Sequence, residues 1–390
     1  MPYRNAGLPL YNSTTHLHGL CSMPNTSVNS ITNNLYQRKR SGFITLSVSF
    51  AERRIIEMEE FTLRKIESDD FAGLLRGYLA AHDLRYEEDI ECAFGLFSPG
   101  GHLCGCGCAA GRLLKCFAID DALRGQNGLG LLVSALTADR FARGLDDLFV
   151  VTRPYNAPLF AHCGFTALAE TREAALLENR RDGIERFLRT VERFPGDERV
   201  GAIVANCNPI TNGHLSLIRE ACTRCDQLYL FIVEENRSVI PFSDRFALAR
   251  EAVRNIPKVC VCRSGAYMIS GITFPTYFLK ETEDPSAVQS ELDAELFAAC
   301  LAPALGITVR FAGQEPFDPV TRAYNEAMRS ILPRHGIEFC VLPRAEANGV
   351  PISASVVRRI AKEQGGDAPA LRALVPDCTA AYLARSNFAR

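Results

Sequence analysis

Two short groups of residues have types and spacings that could handle phosphate. The first is Thr211-Asn212-Gly213-His214. It follows an apolar run, Val200–Ala205, and an Asn208-Pro209 turn, and it opens an amphipathic run, Leu215–Ala221. Strand, turn and helix start in that order make an anion site, because unpaired amides and the positive end of the helix dipole converge there. Gly213 lets a phosphate come close to the backbone. Thr211 can donate a hydroxyl hydrogen bond and His214 a ring N–H, one on each side of the glycine. The second group is Ser353-Ala354-Ser355-Val356-Val357-Arg358, just after Pro351. Ser353 is a good helix N-cap, with Ser355 and Arg358 close to it on the first turns. A planar, permanently charged guanidinium suits a phosphate anion. Taken singly, each group could also be an ordinary capped helix with an incidental histidine or a surface arginine.

These groups need a scaffold, and the chain is long enough to supply one. It has 390 residues, 47% hydrophobic and 23% charged, which suits a globular protein of two domains. A formal net charge of −2 argues against a general nucleic-acid or anionic-membrane binder. No apolar run reaches the roughly 18–20 residues of a membrane span. Fifteen cysteines is a high count. The odd number, the chain length and the lack of a secretory signal speak against a disulfide framework and for buried thiols in a reducing, cytoplasmic setting. Cys104, Cys106 and Cys108 repeat with the period of a strand and have only His102 beside them. Cys222 and Cys225 have no second pair at a suitable spacing. Neither set reads as a metal site.

Four segments follow from composition and periodicity. Residues 1–57 are rich in Asn, Ser and Thr, with no acidic residue before Glu52. They are expected to be largely disordered, as a start assigned too far upstream or as a transit segment. Residues 58–170 alternate strand and helix signals: strands at Phe61–Ile66, His102–Ala110, Arg112–Ile119 and Asp147–Thr152, and helices at Leu131–Arg143 and Asn156–Cys163. Residues 171–197 read as a charged helical linker ending at Pro195-Gly196. Residues 198–390 alternate β and α throughout, which predicts a doubly wound parallel sheet with its ligand at the carboxyl ends of the strands. The Thr211–His214 group leaves the first of those strands.

Three resemblances add to this reading. The order of elements in 58–170, with the glycine-rich turn Arg124-Gly-Gln-Asn-Gly-Leu-Gly130 and the stretch Asn156–Phe165, resembles the α+β fold of GNAT acyltransferases, which cradle acyl-CoA at such a turn. This turn has one residue more than the family's (Arg/Gln)-x-x-Gly-x-(Gly/Ala), which counts against an active acetyl-CoA-dependent acetyltransferase. Thr211-x-Gly-His214 and Ile352-Ser-Ala-Ser-x-x-Arg358 resemble the two phosphate motifs of the nucleotidyltransferase superfamily, whose members cleave ATP between the α- and β-phosphates. A GNAT-like domain before such a Rossmann-like domain, together with Val233–Ser238, Pro241–Arg245 and Phe311–Asn325, resembles the citrate (pro-3S)-lyase ligase family.

The family resemblance implies an ATP-dependent ligase. It would activate acetate as acetyl-AMP and acetylate the prosthetic-group thiol on the acyl carrier subunit of citrate lyase. Magnesium (Mg2+) would arrive with ATP, and no protein metal ligands are expected. Motif by motif, Thr211 and His214 would contact the α- and β-phosphates, with Asn208 shaping the turn and Gly213 between them. Ser353, Ser355 and Arg358 would hold the β- and γ-phosphates, and Arg245 would add a phosphate contact. Arg237, Glu315, Arg322, Tyr324 and Asn325 would line strand ends near adenine, acetate or the thiol arm. The rival readings are an adenylyltransferase with a phosphopantetheine-type or nucleotide acceptor, and a GNAT acetyltransferase.

Overall fold

Val200–Ala205 is an uninterrupted apolar run (Val-Gly-Ala-Ile-Val-Ala) paired along both edges by parallel strands, and such a run suits a strand whose two faces are both covered by helices. The computed structural model describes residues 61–67, 71–194, 199–234, 238–268, 274–314, 319–347 and 349–386. The expectations for residues 1–57 lie outside the described residues.

The first half runs β1 (Thr62–Lys65), α1 (Phe71–Ala80), β2 (Cys92–Phe97), β3 (Leu103–Ala110), β4 (Leu113–Ile119), α2 (Gly128–Ala142), β5 (Phe149–Thr152), α3 (Ala157–His162), β6 (Thr166–Glu170), β7 (Ala175–Glu178) and α4 (Gly183–Leu188). Its seven strands form one mixed sheet in the order β1-β2-β3-β4-β5-β7-β6. Helices α2 and α3 cover one face through Val133, Leu136, Ala157 and Phe160. This is the α+β layer that the acyltransferase resemblance implies.

The helix expected over 171–194 is corrected at its start. Ala175–Glu178 is a fully buried strand, β7, inserted between β5 and β6. Ala-Leu-Leu-Glu has good helix propensity, but a central sheet position overrides it. Only Gly183–Leu188 in that stretch is α-helical.

The second half runs β8 (Val200–Ala205), α5 (Asn212–Cys222), β9 (Gln227–Ile232), α6 (Phe242–Val253), β10 (Val259–Arg263) and α7 (Pro285–Leu296). A π turn (Phe297–Leu301) then leads into α8 (Ala302–Leu305), β11 (Ile307–Gly313), α9 (Pro319–Ile331) and β12 (Glu338–Leu342). The hairpin β13 (Glu346–Ala347) and β14 (Val350–Pro351) precedes α10 (Ala354–Gln364) and α11 (Asp377–Arg385). Asp284 caps α7 by accepting from Ser286 N–H, with Pro285 in the first turn, and Gly306 ends α8 in the left-handed region.

All pairings of the five-stranded sheet β10-β9-β8-β11-β12 are parallel. Leu215, Ile218, Phe242 and Leu248 of α5 and α6 pack on one face with Ile203, Leu230 and Phe311. On the other face Ala202, Tyr229 and Phe231 pack with Leu292 and Leu296 of α7 and Met328 and Ile331 of α9. The sheet is therefore doubly wound, and the strand order reverses at β8, the position beyond whose carboxyl end such sheets bind their ligands. The core around Tyr229 and Phe231 also takes in Phe149, Val151 and Leu176 of the mixed sheet. Among the described residues no helix is long and apolar enough to cross a membrane.

Candidate functional site

β8 ends at Ala205, and the chain turns through a cis Asn208-Pro209 peptide into α5. Thr211 caps the helix. Its hydroxyl accepts from His214 N–H at 3.3 Å, and its own N–H donates to His214 Nδ1 at 3.1 Å. The hydroxyl also lies 2.8 Å from Nδ1. A backbone N–H can donate only to an unprotonated ring nitrogen, so Nδ1 is the acceptor and Nε2 bears the proton. Burial, together with the positive charge of Arg344, pushes the His214 pKa down to about 4. The ring is therefore neutral near pH 7, with one N–H to offer.

This geometry changes the expected roles. Thr211 is only 1% exposed and its hydroxyl is engaged in the cap. It positions His214 rather than reaching outward to phosphate. The first-turn amides are also less open than the motif suggests. Asn212 N–H donates to the Leu374 carbonyl at 2.8 Å and His214 N–H is capped, which leaves Gly213 N–H without an acceptor among the described residues. The glycine itself answers to a different neighbour. A Cβ there would meet the Ile352 carbonyl oxygen at 2.9 Å, so Gly213 is bare because the second motif presses on it.

That second motif lies where the sequence places it. Ser353 caps α10 by accepting from Val356 N–H at 3.2 Å, and its hydroxyl is 3.0 Å from that of Ser355. Arg358 Nη1 donates to the Asn208 carbonyl at 2.5 Å. Among the described residues no carboxylate pairs with this half-buried guanidinium, whose pKa burial lowers. Asn208 also accepts Ile240 N–H on its side-chain oxygen at 3.2 Å. Two helix starts about 140 residues apart in sequence are thus joined through Gly213–Ile352 and Arg358–Asn208. Together they present a neutral imidazole N–H, the Gly213 amide, two hydroxyls and a guanidinium that no carboxylate among the described residues pairs with. Such a set stabilises negative charge on phosphate.

Arg245 is a correction. It is fully buried on α6, where its Nε donates to the Ile240 carbonyl at 3.1 Å. Its Nη1 donates to the carbonyls of Asn206 at 2.6 Å and Val233 at 3.0 Å. It clamps the chain ends beyond β8 and β9 and does not face a phosphate. Tyr324 and Asn325 are also held inward. The Tyr324 hydroxyl accepts from Arg310 at 2.7 Å and donates to Asp293, and burial raises its pKa. Asn325 donates to the Gly313 carbonyl at 3.2 Å and fixes the end of β11. Arg322 is exposed. Arg237 and Glu315 lie outside the described residues. Sequence reasoning missed Arg344, two residues beyond β12 and close enough for its charge to act on His214. Its place just past a strand's carboxyl end was the available signal. A cavity of about 370 Å³ between β6, α7 and α9, lined by Glu170, Arg172, Glu291, Glu295 and Arg334, lies toward the opposite end of α9 from β11's carboxyl end and takes no part in this constellation.

A family model described as the citrate lyase ligase C-terminal domain matches residues 200–383. The chain is 42% identical over 314 residues to a citrate (pro-3S)-lyase ligase from Klebsiella pneumoniae, covering 78% of this chain and 90% of that relative. It is 37% identical over 332 residues to the protein of the same name from Escherichia coli (strain K12), covering 83% and 93%. Among solved structures, a GNAT-family acetyltransferase from Staphylococcus aureus Mu50 is similar at 9% identity and a TM-score of 0.26, over 30% of this chain and 97% of that one. With such identities over nearly the full length of its relatives, the chain belongs to the citrate (pro-3S)-lyase ligase family.

Proposed function

We propose that this chain is an ATP-dependent ligase that activates acetate as acetyl-AMP and acetylates the prosthetic-group thiol on the acyl carrier subunit of citrate lyase. The observation that supports this most is the joining of the two phosphate-type motifs through Gly213–Ile352 and Arg358–Asn208. In the first step an acetate oxygen attacks the α-phosphorus of ATP, the bond from that phosphorus to the bridging oxygen breaks, and pyrophosphate leaves. Acetate is ionised at pH 7, so no general base is needed. What is needed is in-line positioning and stabilisation of charge.

Neutral His214 would donate Nε2–H to an α-phosphate oxygen, in a tautomer fixed by Thr211. Gly213 N–H and the start of α5 would add to it. Ser353, Ser355 and Arg358 would hold the departing pyrophosphate. Arg344 would add positive charge beside His214. Magnesium carried on the ATP phosphates would offset their charge; among the described residues no group of three or more His, Cys, Asp or Glu is arranged to hold a metal. Arg322, with Arg237 and Glu315, would serve adenine, acetate or the thiol arm as a group, with no one-to-one pairing. In the second step the carrier's sulfur attacks the acetyl carbonyl carbon, the bond to the AMP oxygen breaks, and the thiol proton passes to solvent. A cytoplasmic setting goes with this chemistry and with described cysteines that are all free thiols.

The deciding experiment is acetate-dependent exchange of labelled pyrophosphate into ATP. Exchange that ignores acetate and responds to a phosphorylated pantetheine or nucleotide acceptor would overturn the proposal.

A further inference from the structure

β4 and β5 are parallel neighbours, yet they pair only at Leu113–Phe149 and Leu114–Val150. Beyond that point the strands part. β4 has Cys116 in the left-handed region (φ 54°), where its register with β3 also slips, while β5 continues only beside β7. Parting strands leave N–H and C=O groups that need partners. Such a gap takes an extended arm bearing amide or carbonyl groups, much as a sheet edge takes an added strand.

Here the gap is filled from the other half of the chain. Tyr277, in the connection between β10 and α7, is 3% exposed. Its hydroxyl donates to the Val151 carbonyl at 3.3 Å and lies near the Cys116 backbone and the Thr152 side chain. One phenol is thus bonded to β5, and Thr276 beside it is tied through Glu87 to Lys115 of β4. Its neighbours fasten it in place. Arg85 N–H donates to the Tyr277 carbonyl at 2.9 Å and Arg85 Nη2 to the Leu279 carbonyl at 2.8 Å. Thr276 donates its N–H and hydroxyl to Glu87 at 2.6 and 3.1 Å, and Glu87 is held by buried Lys115. Arg153 Nη2 donates to the Phe278 carbonyl at 3.2 Å and pairs with Glu283.

We infer that Tyr277 is a plug supplied in cis that closes the β4–β5 gap to an acyl thioester or any other amide-bearing arm, so the mixed sheet acts as a seat for the β10–α7 connection and not as a second acyl-handling site. The inference does not depend on the reaction proposed above. It is tested by hydrogen–deuterium exchange on the full chain, with acetyl-CoA as the probe. In the wild type, acetyl-CoA leaves exchange in peptides covering 113–119 and 149–153 unchanged, whatever it does at 211–214 or 353–358. Tyr277→Ala speeds exchange in those two peptides by about tenfold, and Tyr277→Phe, which keeps the ring, does so less. Protection of these peptides by acetyl-CoA in the wild type would overturn the inference, as would a Tyr277→Ala chain with unchanged exchange there.

Discussion

Gly213 and Ile352 touch through bare backbone: a methyl group on the glycine would sit 2.9 Å from the Ile352 carbonyl oxygen. The helix start that carries His214 and the residue before the Ser353 cap are thereby held in contact. Gly213→Ala must push the two apart. The expected cost is about 1–3 kcal/mol of stability, and ATP–acetate exchange should fall further than that loss explains. Urea midpoints and exchange rates on the same preparation check this; wild-type values for both would show that the motifs work without the contact.

His214 is expected to act on charge, not on a proton in transit. His214→Ala should lower acetate-dependent exchange by about 10²–10³-fold, as loss of one aimed donor does. Losing the reciprocal cap should cost only about 1 kcal/mol of fold stability. Near-normal exchange in a folded His214→Ala chain would remove this residue from the proposed site.

The same histidine gives a pH signature. Its folded pKa of about 4 lies below the ordinary value of 6.5. Between those values the unfolded chain binds a proton that the native chain excludes, so this contribution is complete above pH 6.5 and is lost as pH falls toward 4. The difference should reach about 2–3 kcal/mol across the window. Comparing urea midpoints of the wild type and His214→Asn at pH 7, 5.5 and 4.5 isolates it, and the wild type should lose more stability than the variant on acidification.

Arg358 and Arg245 should separate cleanly. Arg358→Met removes a half-buried cation that no carboxylate pairs with among the described residues, and should raise the ATP KM and lower kcat together, by about 10²-fold in kcat/KM, while loss of its bond to the Asn208 carbonyl costs only about 1 kcal/mol of stability. Arg245→Met leaves the Asn206, Val233 and Ile240 carbonyls without their donor, and should cost about 3 kcal/mol or more in stability. A stable Arg245→Met chain with an ATP-binding defect would restore the phosphate role that its burial argues against.

Much of the parallel sheet was legible because its signals are local. Val200–Ala205 is a strand at its expected bounds, and Thr211 and Ser353 cap helices by their side chains. What was not legible depends on partners far away in sequence. Arg245 looks like a phosphate contact until its three carbonyl acceptors are in place. Gly213 looks like room for a ligand until Ile352 arrives. Ala175–Glu178 reads as helix until β5 and β6 flank it. Tyr277 has no motif at all; its meaning comes from strands about 125 and 160 residues earlier in the chain.

The apolar core that takes in Phe149 and Leu176 of the mixed sheet and Tyr229 and Phe231 of the parallel one has a thermodynamic consequence. Neither half can melt without opening the surface that stabilises the other, so the chain should unfold in one cooperative step, with calorimetric and van't Hoff enthalpies in agreement. Cutting between the sheets would then yield two fragments that aggregate, not two working domains, and damage to the acyltransferase-like half would silence ATP chemistry that it never touches.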